Sequence, residues 1–315
     1  MAGNLKQLIR VRQTYTNEGH SQAWAAIRSL SPHSPLIPVA SPAQAEFEAA
    51  ILGRIGYGLC PQDLGSGVRQ PFGIVSVIPR VRELIVSLGD CEDALAEFVA
   101  KIAPCVHEDL DFSGVEGIRA RFTRSGVILH RLHVPGRIVL RGVSEADWNS
   151  ALETGFADAD ILGKSYMGSR TSLHDTERWY IDKSSHRRDL SPNIRVAHHI
   201  LSGLLRRLHL FRARSQMRFT DLWFNLLRDG AVINIEWAGD LPHLDVISRI
   251  TDRRFGLPLE VHEHDGCCCE PCMVGEYSIT MRDSITKSVI LHLRRSHLYD
   301  DVLPDRRTGR CAVMA

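Results

Sequence analysis

The amino-acid sequence predicts an α+β protein: a helical N-terminal domain over residues 1–115, then a domain over residues 116–315 that mixes strands with helices. Three observations predict it. Apolar residues recur at helical spacing through most of the first hundred positions. From Ile118 the period switches to two in short runs, as at residues 127–132 and 138–140. Alternating runs then close the chain at 231–237, 276–281 and 288–293, with a long helical pattern over 196–227 inserted among the strands.

Taken in order, residues 1–30 read as one helix with Leu5, Leu8, Ile9, Trp24, Ile27 and Leu30 on a face. The stretch SPHSPLIPVASP, residues 31–42, has the prolines and serines of a loop. Residues 43–55 are helical, and a glycine-rich connection follows over 53–73. Its GSGVRQPFG has a superficial phosphate-loop look, but no Lys-Ser/Thr follows and no strand precedes it. Residues 79–88 and 92–102 read as helices, the second capped by Asp90 and stopped before Pro104. A Pro135-Gly136 turn joins 127–132 and 138–140 into a hairpin. Gly142 breaks that second strand. Ser144 is then a good N-cap, with Asp147 three residues on, and Trp148, Ala151 and Leu152 recur at helical spacing up to Gly155. Residues 156–195 are polar. The stripe Ile200, Leu201, Leu204, Leu205, Leu208 and Phe211 marks the long helix, which Asp229-Gly230 ends; 244–250 is a short helix.

The chain of 315 residues is large enough for one big domain or two small ones. Its 38 basic and 37 acidic residues nearly cancel, so no global field draws it to nucleic acid or anionic lipid. No apolar run approaches the roughly 18 residues of a membrane helix, and the N-terminus lacks the pattern of a signal peptide. Four of the eight cysteines crowd into one short window, which is not the spacing of a disulfide framework. A reducing, cytoplasmic compartment is therefore expected, with delivery into another cell left open.

Arg141 ends a strand, next to Gly142 and facing a helix start. Its charged fork suits a phosphate or a carboxylate; a surface arginine on an edge strand is the plainer reading. Three pieces, LRGVSEADWNSALETG at 140–155, SRTSLHDTERWY at 169–180 and VGEYSITMRDSITKSVILHL at 274–293, resemble in this order the arginine–serine–glutamate branch of the ADP-ribosyltransferase family. The second piece carries an arginine inside the family's Ser-Thr-Ser. The third has Val274 where many members carry the acid or amide that holds the acceptor. The resemblance implies a split mixed β-sheet with a helical insertion and transfer of ADP-ribose from NAD to a macromolecular acceptor, as in toxins and effectors. It implies Arg141 and Gly142 at the NAD phosphates and Ser169, Thr171 and Ser172 bracing the nicotinamide pocket. Tyr166 or Tyr180 would stack on nicotinamide, and Glu276 would steady the oxocarbenium-like transition state. The plainer readings are a solvated Glu276 at a strand start, serines that cap a helix from Asp175, and Trp179 in the core.

VHEHDGCCCEPC gathers His262, His264, Cys269 and Cys272 into a possible tetrahedral zinc set, although zinc fingers separate their ligand pairs by a longer loop. A plain loop with free thiols is the other reading. Histidines two apart on an alternating stretch point to one side. The run Arg206–Arg214 interleaves arginines with apolar residues. On one helix the arginines form the solvated face, and that face is a candidate docking surface for nucleic acid or an acidic partner. The alternative to an enzyme is a regulatory or interaction protein with a zinc loop and an arginine-rich helix.

Overall fold

The computed structural model describes residues 2–31, 34–56, 71–89, 92–107, 112–157, 164–188, 192–212, 217–227, 230–239, 241–265 and 277–295. The architecture is α+β. Helices α1 (Ala2–Thr16), α2 (His20–Arg28) and α3 (Pro42–Ile55) precede the hairpin β1 (Ile74–Arg80) and β2 (Glu83–Leu88). There follow α4 (Glu92–Ile102), β3 (Cys105–His107), β4 (Phe112–Ser113), β5 (Ile118–Thr123), β6 (Gly126–Arg131), β7 (Ile138–Arg141) and α5 (Glu145–Gly155). Next come β8 (Lys164–Tyr166), α6 (Asp175–Arg188), α7 (Pro192–Leu205), β9 (Met217–Leu227) and β10 (Gly230–Gly239). The described chain closes with α8 (His243–Ile250), β11 (Leu259–Asp265), β12 (Tyr277–Asp283) and β13 (Val289–Arg295).

The strands form two mixed five-stranded sheets, in the orders β1-β2-β7-β6-β5 and β11-β12-β13-β10-β9, and a small sheet β4-β3-β8. Each large sheet has one parallel pair, β2 with β7 and β10 with β13; its other pairs are antiparallel. Because β1 and β2 pair into the sheet of β5–β7, the boundary expected at residue 115 runs through a sheet. One hydrophobic core also runs from Tyr15 to Leu293. Among the described residues no helix is long and apolar enough to cross a membrane.

Several elements follow the expectation. The β6–β7 hairpin, α3, α4, β10, α8 and the closing strands β12 and β13 stand where the patterns put them. Helix α5 starts on a full capping box: the Asp147 amide donates to Ser144 Oγ at 3.1 Å, and the Ser144 amide donates to Asp147 Oδ2 at 2.8 Å.

Three expectations are corrected. The helix expected over residues 1–30 is two helices. Asn17 takes a φ of +51° between them, its side-chain amide donates to Val75 O at 2.7 Å, and buried Glu18 turns back to pair with buried Arg12. The segment 79–88 is no helix but the end of the first strand, the turn and the second strand of a hairpin. β2 lies between β1 and β7 and buries Leu84, Ile85 and Val86 in succession, so its faces do not alternate. Its turn, Val81-Arg82, lacks the usual Gly or Asn. Third, the long helix of 196–227 stops at Leu205, makes one tight turn at Leu208–Phe211, and gives way to strand β9.

The end of α7 is buried on every side, and so are the residues that follow it to Phe211. Arg206 is only 1 % exposed. Its Nε and Nη2 each meet a Glu48 carboxylate oxygen at 2.7 Å, Nη1 donates to Pro38 O at 2.7 Å, and Nη2 donates also to Arg80 O at 2.8 Å. Glu48 also accepts from Ser202 Oγ and Gln44 Nε2. Arg206 and Arg207 therefore do not form the solvated, docking face expected of Arg206–Arg214; both are buried, and residues 213 and 214 lie outside those described.

Removing one partner of a pair this buried strands the other charge. Arg206→Met and Glu48→Gln are each expected to cost about 3–5 kcal/mol, and the double variant less than their sum, read from urea midpoints.

Acid sensitivity follows from His209. Burial, with Arg212 adding, holds its imidazole down to about 4 in the fold. An unfolded histidine takes its proton near 6.5. Unfolding therefore takes up a proton between these values, and stability falls as pH drops from about 6.5 to about 4. His209→Leu is expected to flatten that slope in urea midpoints measured across the window.

Candidate functional site

The residues singled out by sequence spread over the molecule. Arg141 is exposed at the end of β7, and Gly142 beside it takes a φ of +78° with open space where a side chain would stand. A shallow hollow adjoins it, lined by Thr123, Arg124, Gly142, Ser144 and Glu145. The helix start it faces already holds an anion of its own. Asp147 caps the first turn, and its hydrogen bonds with Ser144 keep its carboxyl below the usual range.

Ser169, Thr171 and Ser172 are exposed in a turn, not on a strand. Arg119 fastens that turn by donating to Arg170 O at 2.6 Å and Ser172 O at 3.0 Å, while pairing with Glu177 at 2.9 Å. Burial pushes Glu177 upward, but hydrogen bonds from Arg119 and from the amides of His174 and Gly117 outweigh it and leave the carboxyl low. Arg141 is level with Gly126, and Arg119 with His130, two strands away. The two arginines thus stand roughly 13 Å apart along the strands and about 10 Å across them. The structure does not bring the hydroxyl turn beside Arg141.

Tyr180 packs on Phe112, in the small cluster of Val106, Phe112 and Met167. Trp179, expected in the core, is instead 53 % exposed under the Lys183 ammonium. Glu276 lies outside the described residues; the strand after it, β12, belongs to the other large sheet from Arg141.

His262 is exposed on β11, 3.5 Å from Glu263. A bulge between Val261 and Glu263 interrupts the alternation that was to align His262 with His264. Cys269 and Cys272 lie outside the described residues, among which no group of three or more His, Cys, Asp or Glu is placed to hold a metal ion.

A different place has the form of a binding site. A cleft of about 760 Å³ opens between the loop 34–40, helix α7 and the segment following α8. That volume falls in the range of small-molecule pockets. Leu36, Val39, Val196, Ile200, Leu257 and Ile285 make it mainly apolar, and Val39 and Ile285 remain 53 % and 72 % exposed. Arg206, Arg207, Arg253 and Arg254 also line it, together with His199; no Asp or Glu does. Gly203 keeps one wall close, since a Cβ there would meet Leu257 Cδ2 at 2.3 Å.

The two adjacent arginines differ in kind. Arg206 is matched by Glu48 and holds the loop wall through Pro38. Arg207, 5 % exposed, donates only to neutral carbonyls, those of Phe255 and Gly203. No acid pairs with it among the described residues. Burial pushes its guanidinium down to about 9, with the charge of Arg206 adding. Burial likewise holds His199 below its usual value, again with Arg206 contributing.

Sequence reasoning missed this cleft. Its one local signal is the loop itself, where Leu36, Ile37 and Val39 put apolar residues among prolines. Arg206 and Arg207, just after α7, read in sequence as a solvated face. Compared with known proteins, the chain matches no protein-family model, no curated protein and no solved structure.

Proposed function

We propose that the protein binds a small molecule with an apolar body in the cleft between the loop 34–40, α7 and the segment after α8. One observation carries this reading: a cavity of about 760 Å³, mainly apolar, with a few polar groups among its lining. Two of its apolar residues, Val39 and Ile285, stand exposed at the surface. The loop wall is fixed by hydrogen bonds to Arg206 and Arg12, so the cleft is held open by the fold.

The neutral fluorescent probe N-phenyl-1-naphthylamine tests it. Saturable fluorescence enhancement is expected in the wild type. The double variant Val39→Trp/Val196→Trp fills the cleft from its rim, and its affinity is expected to fall about tenfold or more, a loss of roughly 1.4 kcal/mol, at unchanged melting temperature. Enhancement that does not saturate, or that ignores the filling, removes the proposal.

A second reading is ADP-ribosyl transfer from NAD to a macromolecular acceptor, with Arg141 holding a phosphate and Glu276 supporting the transfer. The exposure of Arg141 at a strand end, beside the open backbone of Gly142, supports it. Labelled NAD incubated with wild type and Glu276→Ala decides: turnover lost in the variant is the expected outcome, and turnover that survives it removes Glu276 from the reaction.

A further inference from the structure

We infer that the ligand of the cleft is an anionic amphiphile, with one apolar chain or ring system along the cleft and a terminal carboxylate or phosphate held by Arg207. The inference rests on the cleft being a binding site and adds the charge and shape of its occupant.

The cleft carries an electrostatic imbalance. A guanidinium taken out of water costs free energy unless an anion meets it. Arg206, one residue earlier, shows the satisfied case: two bonds to Glu48 and two to carbonyls. Arg207 has carbonyl partners only and is nearly as buried. Arg206 gives it no relief, since its own positive charge stands beside it. The remaining charged groups lining the cleft, Arg253 and Arg254, are exposed and also positive. His199 is kept neutral by burial, and the lining carries no carboxylate. The charged groups that line the cleft are therefore of one sign, and the missing partner of Arg207 is an anion. The guanidinium fork suits the paired oxygens of a carboxylate or phosphate.

Shape restricts the rest of the ligand. The walls offered by Leu36, Val39, Ile200 and Leu257 are apolar, so the part beyond the head group is apolar too. A cleft of about 760 Å³ matches a drug-sized molecule and excludes the body of a two-chained lipid. A free inorganic anion would leave the apolar walls uncovered, and a neutral hydrocarbon would leave Arg207 unmatched.

Displacement of N-phenyl-1-naphthylamine from the full chain tests the assignment, with dodecanoate, dodecyl phosphate, dodecanol and dodecylamine as competitors below their micelle concentrations. One or both anions are expected to displace the probe at about tenfold lower concentration than dodecanol, the worth of one charge-assisted pair. Dodecylamine is expected to be the weakest. The two anion arms separate a carboxylate from a phosphate ligand. In Arg207→Met the probe is expected to stay bound while the advantage of the anions over dodecanol disappears. Arg207→Lys, which keeps the charge without the fork, is expected to retain part of it. Should neither variant fold, the wild-type series decides alone. Equal displacement by anions and alcohol, with the probe still binding, overturns the head-group assignment and leaves the cleft intact. Absence of probe binding overturns both. An anion advantage that survives in Arg207→Met moves the contact away from Arg207 and also overturns the assignment.

Discussion

The bidentate contact of Arg206 with Glu48 is the constraint on which the rest of the structure hangs. It joins α7 to α3 at the centre of the molecule. Through Pro38 O it fixes the loop that walls the cleft, and through Arg80 O it fixes the turn of the β1–β2 hairpin. Gln44 extends the network to the start of β7: its Nε2 donates to Glu48 and to Arg137 O, and its Oε1 accepts from the Arg137 amide. Two helices, a loop and two strands are thus registered by one connected group of polar atoms. Such a group tolerates no partial solution, because each member left without its partner is a charge or dipole in the core.

The same arrangement generates the cleft. A helix end buried on every side has no solvent face on which to leave charge, so each arginine there needs a partner within the fold or within a ligand. Glu48 serves the first. Nothing among the described residues serves the second beyond backbone carbonyls. The loop is anchored by Arg206 through Pro38 O and by Arg12 through Leu36 O. Close packing at Gly203 against Leu257 completes a wall that is rigid and mainly apolar.

Much of the local structure was legible in the residues. The capped start of α5 at Ser144, the β6–β7 hairpin at Pro135-Gly136 and the alternation of β10 state their own conformations, because caps, turns and half-buried strands leave local patterns. The errors have separate physical causes. Strand β2 is covered by neighbours on both sides and by packing on both faces, which removes its alternation, and a continuous apolar run serves helix and strand equally. In β9, Phe219, Leu222, Trp223 and Leu226 fall at helical spacing by chance of composition, and pairing with β10 overrides it. Arg206 and Arg207 looked solvated because nothing near them in sequence announces Glu48, which stands 158 residues before Arg206. The candidate site was illegible for that reason: its parts come from three distant segments, and only the proline-rich loop hinted at it.

The parallel pairs have a consequence for biosynthesis. Each large sheet is built mostly from hairpins, yet each also waits for a strand made much later. β2 meets β7 only after some fifty further residues have been added, and β10 meets β13 only when the last described strand emerges. Until then the unpaired edge of β10, bearing Ile233, Ile235 and Trp237, is open to any neighbouring chain. The period between translation of Trp237 and translation of Leu293 is therefore the interval in which nascent chains are most exposed to mispairing, and in which a holding chaperone has the most to protect.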